Sequence, residues 1–384
     1  MVSSILSVVV AVVGVGFLIL AHEFGHFIVA KATGMRVEEF SLGFGRYLWS
    51  RRVGETVYGI SLVPLGGYVR VTGMHAEEFE ERVKAAKESR DAKLRDPESR
   101  MTGRSAISDE EIAATPLERR YYAHPVWQRV VFIVAGVTMN VVVAFFLLFF
   151  VGLQGYFEPT TVVDRVEAGS AAADAGVLVG DRFVSIGADT TDEWFSVQQA
   201  ILSRAGERVD IVVDRAGTHV TLSAEIGLRE DGTGVLGVGP VGEKVDPGVL
   251  ESLAFARDRT GELFAITFSG IGMMFKGEVP VTGSDGLAGP VGIVSISSEA
   301  FRSGYFLSLL AFISVQLAIL NMLPLLPLDG GHVLFSLIEK GLGRAVSLRT
   351  FERVSAVGIS LFLLLLIVAT GNDIGRLFGG SLGF

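Results

Sequence analysis

The sequence predicts a polytopic α-helical membrane protein of about four transmembrane helices, with short β-segments after the first span and an α+β domain inserted after the second. Three observations carry that prediction. The 384-residue chain is 49% hydrophobic, with a mean hydropathy of +0.49, yet 20% charged. That is too apolar for an ordinary soluble protein and too charged for a bare bundle of spans. Four apolar segments have about the length needed to cross a bilayer: Ile5 to Ala30, Val126 to Leu153, Phe306 to Leu326, and Ala356 to Thr370 with its flanks. Between the second and third of these lies a long stretch patterned as alternating strands and short helices.

The first span contains His22-Glu23-Phe24-Gly25-His26. On a helix, residues four apart share a face, so the two imidazoles can grip one Zn²⁺ while Glu23 stands beside it as general base. Ionisable side chains in lipid usually face a protein-lined or wet interior and have a function. The segment does not read as a cleaved signal peptide, because the first thirty residues contain no Lys or Arg and no clear cleavage pattern follows Leu20.

Basic residues set the orientation. Lys31, Arg36, Arg46, Arg51, Arg52, Arg119, Arg120 and Arg129 flank the first and second spans, and Lys340, Arg344, Arg349 and Arg353 lie between the third and fourth. Those connections belong in the cytoplasm, and Gln154 to Tyr305 outside. Within the first connection, Val57 to Val71 reads as short strands joined by a Pro/Gly turn, and Glu77 to Arg104 as a charged, solvated helix or linker. Leu263 to Phe275, interrupted by Gly270 and Gly272, reads as an interfacial or domain-packing helix rather than a span. The net charge of −9 excludes a generally basic nucleic-acid binder, and the absence of cysteine excludes thiolate ligands and disulfides.

A zinc site needs a third protein ligand. Asn321-Met322-Leu323-Pro324-Leu325-Leu326-Pro327-Leu328-Asp329-Gly330-Gly331-His332 ends the third span with two prolines and places Asp329 at the cytoplasmic depth of His22 and His26. Asp329 as a simple helix N-cap is the alternative, and His332 competes as third ligand, with a supporting role preferred for it.

Together, HEFGH in the first span and NMLPLLPLDGG after the third resemble the site-2 protease family of intramembrane zinc metalloproteases, in particular its bacterial RseP-type branch (peptidase family M50). Phe40 to Gly45 and Pro64 to Val69 are similar to the family's membrane-associated β-segments. Ala135 to Asn140 resembles its Gly-Pro-x-x-Asn pattern, with Val137 in place of proline. The resemblance implies Zn²⁺, one per chain, held by His22, His26 and Asp329. It implies substrate contacts at Asn321 and support of the site by Asn140; the strands around Tyr58, Gly66 and Gly67 would hold an unwound substrate segment by β-addition. Leu287 to Ile293 resembles a family element before the third span, to which the sequence assigns no physical role.

In the outer segment, Thr161 to Ala172 and Ala175 to Gly187 give a strand, a short Ala-rich helix, a Gly-Asp turn and a strand. This resembles a single bacterial PDZ domain, and the resemblance implies a helix at Trp194 to Leu202 and a closing hairpin of Arg208 to Asp214 with His219 to Ala224. Such a domain would bind a peptide as an added strand or exclude bulky ectodomains.

The expected segments are therefore 1–30 (first span), 31–125 (cytoplasmic β-segments and linker), 126–153 (second span), 154–240 (PDZ), 241–305 (outer connector), 306–326 (third span), 327–355 (LDG motif), 356–371 (fourth span) and 372–384 (tail). The expected function is zinc-dependent endoproteolysis of single-pass membrane proteins, such as anti-sigma factors or signal-peptide remnants, in the plasma membrane of a bacterium. Its partners are that substrate, the bilayer and a peptide ligand of the PDZ domain, with no nucleic acid. The rival readings are an inactive PDZ scaffold and a metal or proton transporter; intact Glu23 beside three ligands opposes both.

Overall fold

The computed structural model describes residues 2–74, 79–80, 83–84, 107–228, 233–276, 286, 288–343 and 346–377. In chain order the elements begin with α1 (Val2–Ala32), β1 (Val37–Val53), β2 (Thr56–Val71), α2 (Asp109–Ala113) and α3 (Val126–Leu153). The outer segment supplies β3 (Tyr156–Val166), α4 (Ala171–Ala175), β4 (Arg182–Ile186), β5 (Asp189–Thr190), α5 (Trp194–Leu202), β6 (Arg208–Arg215), β7 (Thr218–Glu225), β8 (Gly227–Leu228), β9 (Gly234–Val235) and β10 (Val238–Val245). The chain closes with α6 (Val249–Lys276), α7 (Pro290–Arg302), α8 (Phe306–Asn321), α9 (Asp329–Leu342) and α10 (Leu348–Leu377). Contacts divide it into two units, one of residues 1–148, 256–267 and 287–384, the other of residues 149–255 and 268–286.

Three helices of the described residues are long and apolar enough to cross a membrane: Leu6–Ala32, Val126–Leu153 and Arg349–Arg376. The expected third span is shorter than the sequence suggested. Its helix stops at Asn321, and at 16 residues it reaches about 24 Å, against a hydrocarbon core of about 30 Å. Pro324 and Pro327 lack amide hydrogens, so Met322 to Leu328 runs as successive turns until α9 begins. The last helix, conversely, extends well beyond Ala356 to Thr370 at both ends. Val137 leaves α3 continuous, and Leu263 to Phe275 is the second half of the longer α6.

The β-segments depart most from expectation. Val57 to Val71 lies within one bent strand, β2, but around Pro64 to Gly66 its pairing changes partner, so that β1 and β2 pair twice. Phe40 faces both Tyr58 and Val69, and Gly59 faces both Ser41 and Ser50. The result is a sheet of four segments in the order 47–53, 56–61, 37–42, 67–71. Gly43, with φ +85°, makes the bend, since an L side chain there would be strained and would meet the Val63 carbonyl. Tyr58 is therefore paired on both sides, and among the described residues the outer strand near the first helix is Gly67 to Val71. Most of the charged run Glu77 to Arg104 lies outside the described residues, but Phe79 within it is buried with Val57, Ile107 and Ile112.

The second unit is an antiparallel sheet in the order β10-β3-β4-β6-β7, with β5 beside β4. Its core is built by Val163, Phe183, Ile186, Trp194, Val197, Ile211 and Leu236. The expected helix at Trp194–Leu202 is present, as is the hairpin after it, and the sheet runs on to Val245. The Gly-Asp turn is fixed by Asp181, which accepts from the Leu178 amide and from Arg215 at 2.7 and 2.8 Å. The Arg215 guanidinium holds that carboxyl below the usual carboxylate range.

Candidate metal centre and active site

Everything at this site belongs to the first unit. The i, i+4 spacing on α1 brings the His22 and His26 Nε2 atoms to 3.2 Å from each other. Asp329, the first residue of α9, brings Oδ2 to 3.0 Å from His22 Nε2 and 3.4 Å from His26 Nε2. Both histidines are buried. Two atoms each about 2.05 Å from a tetrahedral zinc are about 3.3 Å apart, so the three observed separations fit one such ion.

Proton positions agree with that fit. His26 Nδ1–H donates to the Phe132 carbonyl at 2.9 Å, which leaves its Nε2 lone pair pointing at the cluster. Asn140, fully buried on α3, places its amide 3.3 Å from His22 Nδ1, while its Oδ1 has no partner. Turning this amide end for end gives Oδ1 the Nδ1 proton and frees His22 Nε2 as well. Asp329 Oδ2 is likewise buried without a hydrogen-bond partner. With both imidazoles in that tautomer, three lone pairs converge, an arrangement that a cation relieves.

Room for the cluster comes from glycine. A Cβ on Gly136 would fall upon both Nε2 atoms, and one on Gly25 would strike the Ala135 carbonyl, so α1 and α3 approach backbone to backbone here. The sequence reading assigned no role to either residue. Gly330 and Gly331 lie against the backbone of Met322, Leu323, Leu325 and Leu326, which lets the turns after α8 fold onto the start of α9 and aim Asp329.

Glu23 accepts from the Val69 amide on the edge strand. Gly67 lies beside it: a Cβ there would sit 3.0 Å from Glu23 Cγ and 2.9 Å from the Ser41 carbonyl. Gly67 thus reaches the site, as main chain. Tyr58 does not; its ring packs 5.9 Å from Phe27 and 6.1 Å from Phe40, fastening the sheet to α1. The edge is braced by buried Glu39, which accepts from Tyr68 at 2.7 Å and Tyr47 at 3.2 Å. Burial raises the Tyr68 phenol above its ordinary range. The hairpin turn is tied to the end of α1 by Glu55, which binds Arg119 at 2.7 Å and Lys31 at 2.8 Å. Arg119 first, then Lys31, lowers its carboxyl to about 2. Asn321 ends α8, half-buried and outside the ligand cluster. His332 is also outside it, its ring 5.5 Å from Phe351.

Residues 10–365 match the profile of Peptidase family M50. The chain belongs to that family. Among curated relatives, the M50 chain is 29% identical to the zinc metalloprotease RasP of Bacillus licheniformis, over 94% of this chain and 97% of the other. It is 27% identical to the regulator of sigma-W protease RasP of Bacillus subtilis, over 97% and 99%. Of solved structures, the PDZ domain of an SdrC-like protein from Listeria monocytogenes matches 22% of this chain and 88% of its own, at 20% identity and a TM-score of 0.20. This M50 protein is a membrane-embedded zinc metalloprotease of the site-2 type.

Proposed function

We propose that the chain cleaves single-pass membrane proteins in or near their transmembrane segments, with His22, His26 and Asp329 as zinc ligands and Glu23 as general base. The observation that carries this reading is the tetrahedral spacing of three ligand atoms, two imidazole nitrogens on an apolar helix and one carboxylate oxygen at the start of α9, with Glu23 between them and the strand edge. Zinc at this place supplies Lewis acidity toward the scissile carbonyl and lowers the pKa of water. Glu23 takes the water proton and hands it to the leaving amine, and the Val69 amide steadies its carboxylate between those transfers. Asn140 and the Phe132 carbonyl keep both imidazoles in the tautomer that leaves Nε2 unprotonated.

A helical substrate has its carbonyls engaged in i to i−4 bonds and must unwind before attack. Gly67 to Val71 receives the unwound segment as an added strand, with Gly66 and Gly67 leaving room for it and Asn321 contacting its backbone. Four spans cross the membrane in this reading, α8 serving as the third. Basic residues hold the β1–β2 sheet, Asp329 and the mouth of the site on the cytoplasmic side of a bacterial plasma membrane. Similarity to the regulator of sigma-W protease of Bacillus subtilis supports a membrane-bound anti-sigma factor as the substrate class, and a signal-peptide remnant has the same single-span form. The PDZ-like unit meets the substrate's outer portion, as docking site or as size filter. Deleting residues 161–224 decides between these: release of activity on bulky ectodomains marks a filter, and slower cleavage of short-tailed substrates marks docking. The whole reading is tested with purified protein in liposomes. Zinc-dependent cleavage of a tethered single-span substrate is expected, and turnover that survives Glu23→Gln would overturn it.

A further inference from the structure

The described part of the sequence element before the third span, residues 288–293, acquires a physical role from the far end of the chain. Gly289 and Pro290 open α7, a helix start with no side-chain cap of its own. Its free amides are met instead by Asp373 on α10. Oδ1 accepts from Gly289 N at 3.0 Å and Oδ2 from Gly292 N at 2.8 Å. Asp373 is 2% exposed. Arg376, one turn on, approaches Oδ1 at 3.3 Å. Both glycines are required by the contact: a Cβ on Gly289 would stand 2.7 Å from Asp373 Oδ2 and one on Gly292 2.5 Å from Oδ1. The proline at the first helical position has no amide to leave unmatched.

From there α7 runs onto the first span. Ser298 Oγ lies 2.5 Å from Ser7 Oγ, both buried. At the next turn of the chain Phe306 and Leu310 of α8 fill the place that a side chain on Gly14 would take. Thus α7 is held at its start by the last helix and at its end by α1, the helix of His22 and His26, just before the chain enters α8, which leads to Asp329.

We propose that Asp373 is a positioning residue of the protease. By capping α7 it fixes the register between α1 and α8, and so between the two histidines and the third ligand. This rests on the ligand assignment above, and the test separates the two. Ser7→Cys with Ser298→Cys, in a chain that has no other cysteine, puts two thiols where the hydroxyls touch. The pair should crosslink readily on mild oxidation. With Asp373→Asn added, crosslinking should slow about tenfold or more, and cleavage by the reduced protein should fall about tenfold with one zinc per chain still bound at saturating zinc. Oxidising the pair should then restore cleavage, since the disulfide supplies the register that the cap no longer does. An unchanged crosslinking rate would overturn the proposal whatever the activity, and so would lost activity that the disulfide fails to restore. If Asp373→Asn does not accumulate in the membrane, Gly292→Ala keeps every charge, displaces the same carboxylate and is judged by the same two readouts.

Discussion

Asp329 and Asp373 are both carboxylates of the membrane unit placed at helix starts, and they are furnished in opposite ways. Asp373 is surrounded by donors: two backbone amides and a guanidinium. Asp329 begins its own helix, yet its Oδ2 is buried without a partner and faces two imidazole nitrogens. Counting donors around each distinguishes them where sequence cannot. A buried carboxylate bonded to backbone amides contributes position, and one that faces imidazole nitrogens suits the cation proposed above.

That contrast is open to direct attack. Glu23→Gln should show the largest effect, a loss of cleavage of about 10²-fold or more with zinc still bound; metal analysis beside turnover checks both halves. Asp329→Ala should strip zinc from purified protein because two imidazoles remain, whereas His332→Ala should leave the metal in place. If these two rank the other way, the third ligand has been misassigned. Asn140→Ala removes the acceptor that sets the His22 tautomer, and zinc affinity should fall about 10- to 100-fold in a competition titration. An affinity equal to that of the unaltered chain would show that His22 orients itself. Smallest is the clasp at Glu55. Its lowered pKa means that the clasp stabilises fully above the ordinary carboxyl range and fades as pH falls through it toward about 2. The difference in melting temperature between the unaltered chain and Glu55→Gln should therefore be present at pH 7 and shrink between about pH 4.5 and 2. A difference constant across that window would mean that Glu55 acts other than by its charge.

Much of this arrangement was legible beforehand because it is local. The i, i+4 spacing of His22 and His26 is a property of any helix, and the two prolines before Asp329 announce a break at the right depth. The helix at Trp194–Leu202 and the hairpin after it are implied by the likeness of the preceding segment to a PDZ domain. What escaped notice is non-local. The double pairing of β1 and β2 depends on which side of Phe40 meets Tyr58 and which meets Val69, and strand alternation is silent about that. Gly25 and Gly136 matter only because two helices touch there. Asp373 finds Gly289 across 84 residues, a contact that no window over the chain contains.

The strand edge beside Glu23 offers main chain, with glycine at 66 and 67. A groove that recognises backbone takes no inventory of its guest's side chains. On the proposed β-addition, selection rests on how readily a membrane helix comes apart, so two unrelated transmembrane sequences with equally weak helices would be equivalent to this enzyme, and one helix-stabilising substitution would shield either of them.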